Sequence, residues 1–337
     1  MTVLDLTTIH ILNQKMKRNN PPTVLQTVSL TPEVDEHLAT SYNLLPLWKQ
    51  QDPDSFINQY GPYCQAVVTA ARFGLSSALL AKLPALEVVS SFGVGLDSLD
   101  LAVTQSRGIQ VGYTPDVLTE CVADFAISLL CASARRIPLA DRFVRNGSWE
   151  TASFQLASRI HGKRLGIVGL GKIGKAIARR AEGFSLDIRY HNPRPVPEST
   201  YMHVPCLKTL AEWCDFMVLS CPGGPATHHL VSSAIINALG PQGTLINVAR
   251  GTVVDQDALI DALTFQRLGA AALDVFTEEP HVPAALLKFD NVVLTPHIGS
   301  GSRETREDMA TCVAQNLAAY FEKGRVDFPA PRITAVR

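Results

Sequence analysis

The stretch that decides the fold is Arg164-Leu-Gly-Ile-Val-Gly169-Leu-Gly171-Lys-Ile-Gly174. Leu165, Ile167 and Val168 form a short apolar run suited to a strand buried in a parallel sheet. The run stops at Gly169, Gly171 and Gly174, the G-x-G-x-x-G spacing of a dinucleotide-binding turn. The first glycine permits the tight turn, the second lets backbone approach a pyrophosphate, and the third lets the next helix pack close to the strand. That helix should begin near Lys172 and aim its amides and positive dipole end at the phosphates. A glycine pattern alone is weak evidence, since a structural turn can carry it. Here Ile173, Ile177, Ala178 and Ala181 continue at helical spacing, and a second strand, Asp187 to Tyr190, follows, which is the context a cofactor turn requires.

The end of the second strand reads the ribose. An NAD-type site places an Asp or Glu there against the 2′-hydroxyl; this chain has Asn192, then Pro193 and Arg194. A carboxylate repels a 2′-phosphate, whereas an amide beside a guanidinium accepts one. The expected cofactor is therefore NADP(H), against the plainer alternative of a solvated Asn-Pro turn.

The 337 residues exceed one ordinary domain, and 46% apolar content is enough for two buried cores. A net charge of −1 argues against broad binding of nucleic acid or membrane surfaces. Cys64, Cys121, Cys131, Cys206, Cys214, Cys221 and Cys312 are scattered and lack C-x-x-C spacing, so they read as reduced thiols with no metal site implied. No apolar run reaches about 18 residues, and the start of the chain lacks a basic-then-apolar leader. These features suit a cytoplasmic enzyme.

Taken in order, residues 1–21 read as a polar extension. Strands are expected at Thr23 to Val28, Asn43 to Leu47, Ala66 to Thr69, Leu86 to Ser91 and Ile109 to Val111, with a helix at Pro32 to Ala39. Alternating strands and helices imply a parallel sheet with crossover helices. A long helical pattern from Pro115 to Arg136 leads to the glycine-rich unit. Its further strands fall near Met202 to Val204, Phe216 to Ser220, Gly243 to Val248, Ala270 to Leu273 and Val292 to Thr295. A last helix, about Glu304 to Phe321, should return the chain to the first domain. The expected fold class is α/β: two doubly wound parallel-sheet domains, 1–113 with 299–337 and 114–298, the second inserted into the first. The cleft between them is the default substrate site.

Three strand ends in the second half carry chemistry. Leu245-Ile-Asn-Val-Ala-Arg250-Gly251 ends on an arginine, which can fork onto a carboxylate and polarise a carbonyl; a surface ion pair is the competing reading. Ala271-Ala-Leu-Asp274-Val-Phe-Thr-Glu-Glu279-Pro280 brings carboxylates to a turn. Val292-Val-Leu-Thr-Pro-His297-Ile-Gly299 places a histidine where a general acid should sit, although alone it reads equally as a loop histidine. A carboxylate on its far nitrogen would fix the tautomer and favour the protonated ring. Together Arg250, Glu279 and His297 have the chemistry of keto-acid reduction beside a hydride source.

From Gly162 to Gly301 the chain resembles the D-isomer-specific 2-hydroxyacid dehydrogenase family. The resemblance is carried by Gly-Leu-Gly-Lys-Ile-Gly, Asn-Val-Ala-Arg-Gly-Thr-Val-Val-Asp, Leu-Asp-Val-Phe-Thr-Glu-Glu-Pro and Leu-Thr-Pro-His-Ile-Gly-Ser, in that order. Phe92-Gly-Val94-Gly95-Leu-Asp97 is similar to the family's substrate loop, and Thr114-Pro-Asp-Val117 to its hinge. The resemblance implies a Rossmann domain inserted into a discontinuous flavodoxin-like substrate domain. It implies that Arg250 binds carboxylate and keto oxygen, that His297 is the acid/base with Glu279 as partner, and that the amides of Val94 and Gly95 hold the substrate carboxylate with weaker help from Arg72. By the same resemblance Leu170, Lys172, Ile173, Cys221, Pro222, Thr227, Val248 and Asp274 line the cofactor, Asp274 at the nicotinamide carboxamide. Asn192 departs from the usual acidic residue, and the Asn-Pro-Arg run resembles the NADP-preferring branch that reduces glyoxylate, hydroxypyruvate or hydroxyphenylpyruvate. The Arg-Asn-Gly-Ser-Trp149 segment resembles that branch too, which implies a homodimer through the second domain and Asp141 to Ser158.

Two alternatives stand beside a small 2-keto acid substrate. One is a relative acting on formate, an aryl-pyruvate or a sugar-derived or phosphorylated acid, though formate chemistry has no use for Glu279. The other is a cofactor-sensing corepressor-like protein, which has no need of the Arg250, Glu279 and His297 set.

Overall fold

The computed structural model describes residues 21–331; the proposed extension therefore lies, but for its last residue, outside the described residues. The chain divides into two compact units, one running to Leu118 and resuming at Ser302, the other comprising Thr119–Gly301.

The first unit holds β1 (Thr23–Gln26), β2 (Asn43–Pro46), β3 (Ala66–Ala70), β4 (Val88–Phe92) and β5 (Gln110–Gly112). They form one sheet in the order β2-β1-β3-β4-β5, parallel throughout, the flavodoxin-like order with its crossover beside β1. Every residue of β3 and β4 is buried, as expected where helices cover both faces of a parallel sheet. Helix Arg303–Lys323 packs along β4 through buried Asn316. The Asn316 amide donates to Ser90 Oγ at 3.4 Å and to Tyr113 O at 3.2 Å, and its oxygen accepts from Phe328 N at 2.9 Å.

The second unit holds β6 (Arg164–Val168), β7 (Asp187–His191), β8 (Met202–His203), β9 (Phe216–Leu219), β10 (Thr244–Asn247), β11 (Ala270–Leu273) and β12 (Val292–Leu294). Their order, β12-β11-β10-β9-β6-β7-β8, is that of a Rossmann sheet with one added strand, and it reverses direction at β6. Period-two alternation sorts the side chains onto two cores. Met217, Leu219, Leu245, Ala271 and Leu273 face helices Leu207–Trp213 and Gln256–Thr264. Phe216, Val218, Ile246 and Ala272 face helices Thr119–Ala134 and Lys172–Glu182. Because every strand is parallel, the residues after β6, β7, β9, β10, β11 and β12 share one edge of the sheet.

The strands lie within a residue or two of their expected positions, but the helices differ more. The pattern expected over 115–136 is helical only over Thr119–Ala134, because left-handed Asp116 (φ 69) precedes it and left-handed Arg136 (φ 54) follows it. Helices Pro53–Tyr60 and Ile137–Arg145 were not anticipated. Among the described residues, no helix is long and apolar enough to cross a membrane, and no group of three or more His, Cys, Asp or Glu is placed to hold a metal ion.

At the opposite, amino-terminal edge of the second sheet, Asp215 clamps β6 to β9. It accepts from Arg164 N at 2.9 Å, Arg164 Nε at 3.1 Å and Arg164 Nη2 at 3.0 Å. The Arg164 hydrogen bonds, against the opposing effect of burial, hold its carboxyl below the usual range, with Lys163 adding attraction. A depressed folded-state pKa contributes stability that is present above the unfolded value and lost as pH falls through the folded one. Asp215→Asn should therefore cost about 1.5–3 kcal/mol at pH 7. In denaturant titrations the gap from the unmodified protein should begin to close below about pH 4, where the unfolded carboxylate protonates, and vanish once pH falls below the lowered folded-state value; a pH-independent gap would rule the clamp out.

Candidate active site

The glycine turn has the geometry of a phosphate cradle. Gly169 takes φ +98, and a Cβ there would stand 2.6 Å from Cys221 N; one on Gly174 would stand 2.2 Å from Gly169 O. At Gly171 a Cβ would meet, among the described residues and apart from its immediate neighbours in the chain, no atom within 4 Å. The first and third glycines are thus required by the chain's own packing, while the second faces open space at the start of helix Lys172–Glu182, where a pyrophosphate can approach the amides. The residues present therefore fit a dinucleotide.

Around this cradle lie the other cofactor candidates. Leu170 is buried, Ile173 is half-buried against the core, and Lys172 is exposed at the first helical position. Asn192 Oδ1 accepts from Leu170 N at 2.7 Å, so the residue directly after β7 also fastens the turn after β6. Arg194 is exposed, and among the described residues its side chain makes no hydrogen bond or ion pair. Cys221 is buried and Pro222 exposed after β9, and Thr227 Oγ1 donates to Pro222 O at 2.8 Å, closing that loop. Val248 follows β10 with its amide on Leu219 O at 3.3 Å.

Arg250, Glu279 and His297 all lie in the second unit, after β10, β11 and β12. Asn247 ties down the Arg250 segment: its amide donates to Arg250 O at 2.9 Å and its oxygen accepts from Ala249 N at 3.0 Å. Next to it Gly251 lies so close to the Phe276 backbone that a Cβ would stand 1.9 Å from the Phe276 carbonyl carbon, which brings the strand carrying Arg250 against the loop carrying Glu279. His297 Nδ1 is 2.6 Å from Glu279 Oε2, with the two side chains 29% and 21% exposed. Burial raises the Glu279 carboxyl. The His297 hydrogen bond and charge, the Phe276 amide and the Arg250 charge outweigh burial and hold the carboxyl below the usual range. A carboxylate can only accept, so Nδ1 carries the proton of that bond and Nε2 is the nitrogen left for chemistry.

Asp274 has a place the sequence did not reveal. It is 2% exposed. Its Oδ1 accepts from Thr295 Oγ1 at 2.7 Å and Ile298 N at 2.8 Å, and its Oδ2 accepts from Gly299 N at 2.8 Å. Burial pushes the carboxyl up, against these hydrogen bonds and the His297 charge. His297 has φ +54, a left-handed conformation that a non-glycine residue holds only when its surroundings impose it. Here the imposing groups are Asp274, through both its carboxylate and its carbonyl, the latter accepting from His297 N at 2.9 Å.

The substrate candidates lie in the first unit. Gly93 takes φ +137 after β4, and a Cβ there would stand 2.7 Å from Ala71 Cβ. Its amide donates to Thr114 Oγ1 at 3.0 Å. Beyond it, among the described residues, the amides of Val94 and Gly95 reach no protein acceptor. Arg72 is exposed, its guanidinium 4.8 Å from the Phe73 ring centre.

Residues 127–299 match the family model for the NAD-binding domain of D-isomer specific 2-hydroxyacid dehydrogenases. The chain is 46% identical to a glyoxylate/hydroxypyruvate reductase A of Arabidopsis thaliana over 298 residues, spanning 88% of this chain and 95% of that protein. It is 43% identical to a hydroxyphenylpyruvate reductase of Plectranthus scutellarioides, again over 88% of this chain and 95% of the relative. Among solved structures, an NADPH-dependent glyoxylate/hydroxypyruvate reductase from Sinorhizobium meliloti, in complex with NADP and malonate, superposes with a TM-score of 0.85 at 36% identity, covering 94% of this chain and 100% of that one.

Proposed function

Because this chain belongs to the D-isomer-specific 2-hydroxyacid dehydrogenase family, we propose that it reduces a small 2-keto acid, glyoxylate or hydroxypyruvate foremost, to the D-2-hydroxy acid with NADPH. The observation that carries this reading is the 2.6 Å His297–Glu279 pair on the loops that flank Arg250. The bound cofactor supplies the hydride that reaches the keto carbon. Arg250 forks onto the substrate carboxylate and keto oxygen, and in the first unit the amides of Val94 and Gly95 are the candidates for carboxylate binding. His297 delivers its Nε2 proton to the keto oxygen as that oxygen gains charge, while Glu279 stabilises the ring through Nδ1. Steady-state oxidation of NADPH across glyoxylate, hydroxypyruvate, hydroxyphenylpyruvate and 2-ketogluconate tests the reading and ranks the substrates. Absence of turnover with all four would favour a sensing protein that binds cofactor without reducing anything.

The NADPH preference rests on Asn192 and Arg194. A hydrogen bond to a charged group contributes about 1.5–3 kcal/mol, so a guanidinium on the 2′-phosphate predicts roughly 10- to 150-fold preference for NADPH over NADH. Arg194→Ala should raise KM for NADPH and leave that for NADH nearly unchanged. Asn192→Asp should impair NADPH by repulsion. An unchanged NADPH/NADH ratio in both variants would leave a solvated turn as the better description.

We also infer a homodimer formed through the second unit. Along 137–156 the side chains of Ile137, Val144, Trp149 and Leu156 are 52%, 53%, 68% and 98% exposed, an apolar series that suits burial against a second copy. A monomer in sedimentation equilibrium would end that inference. Seven cysteines without a disulfide fit a reducing, cytoplasmic setting, which cell fractionation would check.

A further inference from the structure

We propose that His203, on the edge strand β8, sets cofactor choice as a positioning residue, by fixing the segment that presents Arg194 to the ribose 2′-phosphate. This rests on the NADPH reading above and deepens it.

The segment Asn192-Pro193-Arg194-Pro195-Val196-Pro197 alternates proline with other residues. Each ring fixes its own φ and bars the preceding residue from the helical region, so Arg194 lies between two prolines in a strut with few accessible conformations. Both ends of the strut are tied. His203 Nε2 stands 2.9 Å from Asn192 O; a carbonyl only accepts, so this nitrogen carries hydrogen and donates. Tyr190 Oη accepts from Val196 N at 2.9 Å. The two anchors support each other: Tyr190 and His203 are paired across β7 and β8, with ring centres 5.2 Å apart. Farther on, Tyr201 Oη donates to Glu182 Oε1 at 2.6 Å, joining the loop to the end of the helix that begins at the glycine turn. The start of the strut is coupled to the phosphate cradle as well, through Asn192 Oδ1 on Leu170 N.

The consequence concerns selectivity more than overall binding. A guanidinium on a free loop loses backbone and side-chain entropy when it closes on a phosphate, whereas one on a doubly anchored strut has lost the backbone part beforehand. Removing an anchor should therefore weaken the grip on the 2′-phosphate and leave the rest of the nucleotide alone.

The test compares affinities of the full-length protein for 2′,5′-ADP and 5′-AMP by calorimetry, which needs no turnover. His203→Phe keeps an aromatic ring against Tyr190 and deletes the donor. Tyr190→Phe keeps the ring and deletes the acceptor for Val196, and it serves if His203→Phe fails to fold. Either variant should lower the 2′,5′-ADP to 5′-AMP affinity ratio by about 3- to 10-fold, the worth of one neutral hydrogen bond, with 5′-AMP binding within about twofold of normal. Folded variants that keep the original ratio, or that weaken both nucleotides equally, would overturn the positioning role while the NADPH reading stands. If the unmodified protein already binds the two nucleotides alike, the NADPH reading fails and this inference fails with it.

Discussion

His297→Asn should lower kcat for keto-acid reduction by about 10²–10⁴-fold while leaving NADPH affinity near its original value. The size follows from chemistry: with Nδ1 committed to Glu279 Oε2 at 2.6 Å, Nε2 is the group that can give a proton, and an amide cannot replace it. Asparagine is the informative substitution because His297 sits at φ +54, where Asn is among the few residues that settle without strain. The turn held by Asp274 should survive, so the loss can be ascribed to the proton donor. Glu279→Gln should cost less, since it removes the charge behind the ring and keeps the donor. Its charge persists as pH falls through the ordinary carboxylate range, because the folded-state carboxyl is held low. Single-turnover and steady-state rates would decide the matter: near-normal turnover in His297→Asn removes the histidine from the reaction.

The contrast between Asp274 and His297 shows how far residues alone carry the site. Apolar runs bounded by glycine or proline marked nearly every strand, because parallel strands covered on both faces need little beyond continuous hydrophobicity. Reactive side chains were legible at strand ends for the same reason, since a polar residue directly after such a run must sit at the sheet edge. What stayed hidden was which strand ends are neighbours. Leu273 pairs with Leu294 across β11 and β12, so Asp274 meets Thr295 and the His297 turn. Val168 pairs with His191 across β6 and β7, so Asn192 reaches Leu170. Those contacts depend on strand order, which local pattern does not encode. Helix Ile137–Arg145 carries apolar residues at helical spacing, Ile137, Ala140 and Val144, but is only 9 residues long and buries none of them, so little more than two turns of pattern were there to read. Pro53–Tyr60 buries Ile57 alone, and its remaining residues read as a polar loop.

Arg250→Ala should reduce kcat/KM by roughly 10²- to 10⁴-fold, the worth of two charge-assisted hydrogen bonds at about 1.5–3 kcal/mol each. Arg250→Lys separates fork from charge. Lysine keeps the positive charge that helps hold the Glu279 carboxyl low, yet an ammonium cannot make two parallel bonds to a carboxylate and keto oxygen. If Arg250 acted only by supporting Glu279 electrostatically, Lys would restore most of the activity. If it binds substrate as a fork, Lys should remain well below the unmodified enzyme, with the deficit in both KM and kcat because the keto oxygen gains charge in the transition state. The Arg250 side chain donates from Nη1 to Ala249 O at 2.8 Å, but this backbone has other supports. Asn247 holds the Arg250 carbonyl and the Ala249 amide, and Gly251 sets the contact with Phe276; none of these depends on the arginine side chain. Full kcat/KM in Arg250→Lys would therefore move Arg250 from substrate recognition to support of the Glu279–His297 pair.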